Sequence, residues 1–176
     1  GFVAGLNGEM NWIKVDQEIF DHVGKRISES DTAMYGRVTY DMMESYWPTV
    51  VKKPTGNKAT DDFAVSIDNI SKIVYSRTLR GVDWKNTVLK NEINKEEIEA
   101  LKNQAGKSIL AGSPSLIVAM SQLDLVDEYQ ISVQPTIIGS GLPLFRDIRD
   151  RIDLSLLNTK TFGCGAVTFY YERTKR

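Results

Sequence analysis

Three stretches of the chain set a glycine, a hydroxyl or a guanidinium directly after a run of apolar residues: Gly36-Arg37-Val38-Thr39, Ser76-Arg77-Thr78 and Gly112-Ser113-Pro114-Ser115-Leu116. A buried strand that ends this way leads into a loop or helix whose first N–H groups lack intrahelical partners. Together with the helix dipole, such groups bind anions. Gly36 and Gly112 let the backbone approach a ligand closely. Thr39, Ser76, Ser113 and Ser115 add hydroxyls, while Arg37 and Arg77 add planar forks suited to phosphate. In a parallel sheet, ligands gather outside the carboxyl ends of the strands. Each junction alone is equally ordinary turn chemistry, and each arginine equally a solvated surface charge. Three anion sites in register are more specific, because a dinucleotide with a 2′-phosphate has three separable phosphate groups. No G-x-G-x-x-G or G-x-x-x-x-G-K-[ST] pattern occurs, so neither a Rossmann fingerprint nor a P-loop is supported.

Composition removes other chemistry. Cys164 is the only cysteine and His22 the only histidine, which excludes an internal disulfide and cysteine-cluster or multi-histidine metal sites. The chain is read as metal-free, and a Ser-His-Asp triad is disfavoured. Cys164, between Gly163 and Gly165, suits a bend better than a nucleophile. The formal net charge is −1, with no Lys/Arg-rich run before the terminal Arg173-Thr174-Lys175-Arg176, so nucleic acid is not an expected partner. No apolar run approaches the ~20 residues of a membrane span. A single cytoplasmic domain over 1–176 is expected.

The elements that must hold these junctions follow from hydrophobic periodicity. Ile19, Phe20, Val23 and Ile27 predict a helix from 17 to about 28, with Asp16 at its N-cap. Thr32–Tyr35, Lys72–Tyr75 and Ser108–Ala111 read as short buried strands, and 87–89 as another. Tyr40, Met43 and Trp47 predict a helix that Pro48 stops, followed by a surface loop over 50–57. Asn94 with Glu97 caps a helix through Ile98, Leu101 and Ala105. Ser113-Pro114 starts a further helix, with Ser113 as N-cap and Pro114 at its first position. From Tyr129 to Val133 and from Val167 to Glu172 the apolar residues alternate, which marks longer closing strands near Leu154–Leu157. The order predicts an α/β domain: a three-layer α/β/α sandwich with a mixed, mostly parallel sheet and antiparallel C-terminal strands.

Asp16 is the candidate catalytic residue. It shares a helix face with Phe20 and could orient a substrate or assist protonation if its pKa were raised. It serves equally well as a helix cap. Trp12, Phe20 and Trp47 are candidate stacking surfaces for a flat substrate, although aromatics of this kind more often fill a core.

Several motifs together resemble the dihydrofolate reductase fold: Gly1-Phe2-Val3-Ala4-Gly5, Asn7-Gly8-Glu9-Met10-Asn11-Trp12, Gly36-Arg37-Val38-Thr39-Tyr40 and Tyr75-Ser76-Arg77. Gly112-Ser113-Pro114-Ser115-Leu116, Asp124–Tyr129 and Pro135-Thr136-Ile137-Ile138-Gly139-Ser140-Gly141 narrow the likeness to the bacterial RibD C-terminal reductase domain family. The resemblance runs over essentially the whole chain and implies NADPH as cofactor. It implies that Gly36, Arg37 and Thr39 hold pyrophosphate and adenosine phosphate, and that Ser76 and Arg77 hold the 2′-phosphate. Gly112, Ser113, Ser115 and Leu116 would cover the pyrophosphate. Ala4 and the loop through Trp12 would line the nicotinamide pocket, with Gly139 and Gly141 close by. Family members carry a complete strand ending in Ser-Leu-Asp before the Gly-Phe match, so an N-terminal strand is expected to be missing here. A second glycine often stands where this chain has Ser113.

The implied activity is hydride transfer to a small heterocyclic or sugar-derived substrate, as in the 5-amino-6-(5-phosphoribosylamino)uracil reductase of riboflavin biosynthesis. The alternatives are reduction of dihydrofolate or another pterin, a non-catalytic NADPH-binding regulatory module, and a structural dimer. A homodimer is the expected assembly.

Overall fold

The structure is a computed structural model that describes residues 1–174; Lys175 and Arg176, the end of the basic tail, lie outside the described residues. In chain order the elements begin β1 (Phe2–Ala4), α1 (Gln17–Ser28), β2 (Ser30–Gly36), α2 (Arg37–Lys52) and α3 (Lys58–Asn69). There follow β3 (Ser71–Tyr75), β4 (Thr87–Lys90), α4 (Lys95–Lys102), β5 (Ser108–Ala111) and α5 (Pro114–Gln122). The chain closes with β6 (Glu128–Val133), β7 (Leu142–Pro143), β8 (Leu154–Thr161) and β9 (Val167–Arg173). It divides into two compact units, Phe20–Ile117 on the one hand and Gly1–Ile19 with Val118–Arg176 on the other.

Within Phe20–Ile117, four parallel strands pair in the order β4-β3-β2-β5. Thr32 to Gly36 of β2 are all buried, as the central strand of a covered parallel sheet requires. Tyr35, Tyr40, Phe63, Ile67, Val74 and Trp84 meet in one core, and Val74 has no exposed surface at all. Full burial of a side chain of that size contributes about 1.5–3 kcal/mol.

Two expectations are corrected here. Pro48 lies inside α2 instead of stopping it. It removes the ladder bond to the Glu44 carbonyl, but Met43 and Trp47 pack on the core and Val50 is buried, so the helix runs on to Lys52. The predicted loop over 50–57 is therefore short. Asn57 ends it by accepting the Thr60 N–H at 3.0 Å, which caps an unforeseen helix, α3, with Ala59, Phe63, Ala64 and Ile67 on its buried face.

In the other unit, β6, β9 and β8 form an antiparallel sheet, and β1 pairs antiparallel with β7. The expected combination of parallel and antiparallel strands is present, divided among separate hydrogen-bonded sheets. No helix among the described residues is long and apolar enough to cross a membrane.

Candidate functional site

The parallel register sets the three junctions side by side. Gly36 is the partner of Tyr75, and Met34 of Ala111. Ser76 and Gly112 therefore follow their strands at the same carboxyl edge at which β2 ends in Gly36. The chain moves outward from β2 to β3 to β4 and then crosses to β5 on the other side of β2. The crevice between β2 and β5 is thus the point at which the strand order reverses, the usual ligand position in such sheets.

At that crevice the Gly36 N–H donates to the buried Ser113 Oγ at 2.7 Å. Ser113 still stands at the N-cap position of α5, where its carbonyl accepts the Ile117 N–H at 2.8 Å, but its hydroxyl serves β2 instead of the helix N–H groups. A Cβ on Gly36 would lie 3.3 Å from Ser115 Oγ and 3.5 Å from Ser113 Cβ, and one on Gly112 would lie 3.4 Å from the Tyr35 ring. Small residues are needed at both places because the two strand ends and α5 approach so closely. Burial pushes the Tyr35 phenol far above its usual range and keeps it neutral there.

The start of α2 has the groups with which an anion can be held. Gly36 caps it without a side-chain hydrogen bond, and its first turn carries no acidic residue, so free N–H groups and the dipole face outward unopposed. Thr39 is half-buried. Arg37 is exposed and pairs with Asp41 at 3.3 Å, a surface pair weak enough to be exchanged for phosphate. The Ser76 hydroxyl accepts the N–H groups of Thr78 and Leu79 at 3.2 and 3.0 Å. Its work is to close the turn that carries Arg77. Arg77 itself is exposed and has no hydrogen bond or ion pair among the described residues. Leu116 turns its side chain into the interior.

Ala4, Gly139 and Gly141 belong to the other unit. Ala4 pairs with Leu142 across β1 and β7, and a Cβ on Gly141 would lie 2.2 Å from the Ala4 carbonyl oxygen, so only glycine fits. Gly139 has φ +75, a left-handed backbone open to glycine. In the loop after β1, the Trp12 indole N–H donates to the Glu9 carbonyl at 3.1 Å.

Asp16 acts as cap and tether. One oxygen accepts the Ile19 N–H and the other the Cys164 N–H, both at 2.9 Å. Those bonds, the Ile19 one foremost, hold its carboxyl below the usual carboxylate range, the reverse of the raised value that proton transfer would use. Phe20 and Trp47 both pack on Phe63, with ring centroids 6.1 and 4.4 Å away, and the Trp47 N–H donates to Met43 Sδ. Both aromatics thus have core partners within Phe20–Ile117.

The family model for the RibD C-terminal domain matches residues 1–168. The chain belongs to that family. The uncharacterized protein YyaP of Bacillus subtilis (strain 168) is 34% identical over 173 residues, which cover 98% of this chain and 88% of that protein. Among solved structures, a putative riboflavin biosynthesis protein from Shewanella sp. PV-4 superposes with a TM-score of 0.76 at 18% identity, covering 99% of this chain and 93% of that one. Dihydrofolate reductase from Enterococcus faecalis, complexed with NADP(H) and RAB-propyl, gives 0.60 at 15% identity, over 98% and 90% of the two chains. The fold is that of the dihydrofolate reductases.

Sequence reasoning about this RibD C-terminal domain missed Tyr35, whose ring underlies Gly112. Its place as the last residue before Gly36 was the available signal. It also missed the partners of Lys72, because a lysine at a strand start reads as solvent-facing unless the tertiary fold supplies acceptors.

Proposed function

We propose that this RibD C-terminal domain is an NADPH-dependent reductase acting on a small heterocyclic or sugar-derived substrate, in the manner of a riboflavin-pathway uracil reductase. The observation that carries the reading is Arg77, exposed and without a partner among the described residues, held by the Ser76 turn at the same sheet edge as the uncapped start of α2. An exposed cation without an internal partner, beside free helix N–H groups, fits a ligand with two phosphate groups and a third apart from them. NADPH has that charge pattern, and it supplies a hydride to an electron-poor carbon. The chain's own residues bind and orient: Arg77 holds the 2′-phosphate, the first turn of α2 with Arg37 and Thr39 holds the pyrophosphate, and Gly112 and Ser115 flank it.

The reading is tested by thermal shift and titration. NADPH should raise the melting temperature more than NADH at equal concentration. Replacing both Arg37 and Arg77 by alanine should weaken NADPH by about 10- to 100-fold, as loss of charge-assisted hydrogen bonds does, and NADH far less, since NADH offers only the pyrophosphate to Arg37. Equal losses for the two nucleotides would overturn the assignment. NADPH consumption with a panel of pterins and pyrimidine ribityl or ribosyl phosphates then identifies the substrate class.

A further inference from the structure

The loop after β1 holds the chain's one Asn-Gly pair, Asn7-Gly8. At such a pair the backbone nitrogen of the second residue can attack the side-chain carboxamide carbon of the first. A bond forms between Gly8 N and Asn7 Cγ, the Cγ–Nδ2 bond breaks, and ammonia leaves with the proton lost by Gly8. Water then opens the cyclic imide to aspartate or isoaspartate. Glycine in second place favours closure, since no Cβ crowds the nitrogen and the backbone turns freely.

Both residues are exposed, yet the loop engages both nitrogens of the reaction, the attacking and the departing one. The Gly5 N–H donates to the Glu9 carbonyl at 2.8 Å, and the Gly8 N–H to the Gly5 carbonyl at 3.1 Å. With Gly8 at φ +88, this is a three-residue hairpin turn closed by a left-handed glycine. The attacking nitrogen is therefore occupied. The departing one is too: Asn7 Nδ2 donates to Glu9 Oε1 at 2.8 Å, and the Asn7 N–H to Glu9 Oε2 at 3.0 Å. A Cβ on Gly5 would lie 2.3 Å from Glu9 Oε2, so Gly5 is what lets the carboxylate fold back over the turn.

We propose that Asn7-Gly8 is a deamidation site that the Glu9 carboxylate holds closed. Conversion locks itself in. It replaces the Nδ2–H donor beside Glu9 Oε1 with a second carboxylate, and attraction becomes repulsion. The isoaspartate product also lengthens the backbone by one atom inside the turn that the Gly5–Glu9 and Gly8–Gly5 hydrogen bonds close. The Glu9 carbonyl carries the Trp12 indole N–H as well as the Gly5 N–H, so opening the clamp reaches Trp12.

The test incubates the full chain at mildly alkaline pH and follows, by peptide mass spectrometry, the gain of one mass unit in the segment containing residues 7 and 8. Glu9→Ala should accelerate the gain about tenfold, the effect of losing one net hydrogen bond to a charged group. Glu9→Gln, which keeps the size and one acceptor, should fall between, and adding Gly8→Ala should stop the reaction in each background. Circular dichroism confirms that the variants are folded. Wild-type rates in both Glu9 variants, or mass gain at a different asparagine, would overturn the proposal.

Discussion

Strand β3 has a cation near each end, and the two are treated oppositely. Lys72, its second residue, is only 1% exposed, and its ammonium donates to the carbonyls of Asp68, Ile70 and Lys85 at 3.0, 2.9 and 3.2 Å. It also lies 4.4 Å from the centre of the Trp84 ring. Asp68 in turn accepts the Trp84 indole N–H at 2.7 Å and pairs with Lys85 at 2.5 Å. Two of the carbonyls come from the end of α3, where a cation also suits the helix dipole. Arg77, just past the other end of β3, is exposed with no partner among the described residues. A buried charge persists only when its donors are matched. A charge that is to meet a ligand must be left unmatched, and β3 carries a matched cation at one end and, among the described residues, an unmatched one at the other.

Mutation at the saturated end should have the largest effect. Lys72→Ala strips three buried carbonyls of their donor and leaves Asp68 with one cation fewer, and should cost about 3–5 kcal/mol in urea unfolding. Loss of under about 1 kcal/mol would show that the ammonium is dispensable. Next comes the join between β2 and α5. Ser113→Ala leaves the Gly36 N–H buried without an acceptor and should cost about 1–3 kcal/mol, with a weaker NADPH shift in the same preparation. A stability loss with the NADPH shift unaltered would separate the join from the binding edge.

A further effect is in pH dependence. Burial lowers Lys72 from its ordinary 10.5 to about 8, with Asp68 opposing the shift and Lys85 adding to it. The folded protein gives up this proton more readily than the unfolded chain. Stability should therefore be lowest below about pH 8, rise between about 8 and 10.5, and level off above. In a comparison with Lys72→Met, which lacks the group, the wild type should gain relative stability across that window. Parallel profiles would mean that the three carbonyls outweigh burial and hold the lysine charged.

The sheet edge was legible in the sequence because each buried strand is short, apolar and ended by glycine or serine, a pattern with few alternatives. The cap at Asp16 and that at Asn94, which accepts the Glu97 N–H at 2.8 Å, were legible for the same local reason. What escaped were features fixed by tertiary contact. Helix α2 outlasts Pro48 because Trp47 and Val50 have somewhere to pack, and the Ser113 hydroxyl bonds to β2 because the fold returns it to Gly36, 77 positions back along the chain. The sequence does not show that the Ser76 hydroxyl also accepts the N–H groups of the turn it starts. Its neighbour Arg77 is exposed, with no partner among the described residues.

The bond between Gly36 and Ser113 also has a bearing on the order in which the protein comes into being. Strands β2, β3 and β4 are neighbours along the chain and in the sheet, so they can pair as soon as they emerge. β5 must travel past all of them to reach the far side of β2, and closing so long a loop is a slow event. The crevice does not exist until that closure is complete. A nascent chain short of β5 would carry Gly36 and Arg77 and still lack one wall of the crevice, so the edge proposed to receive a nucleotide is completed late in folding.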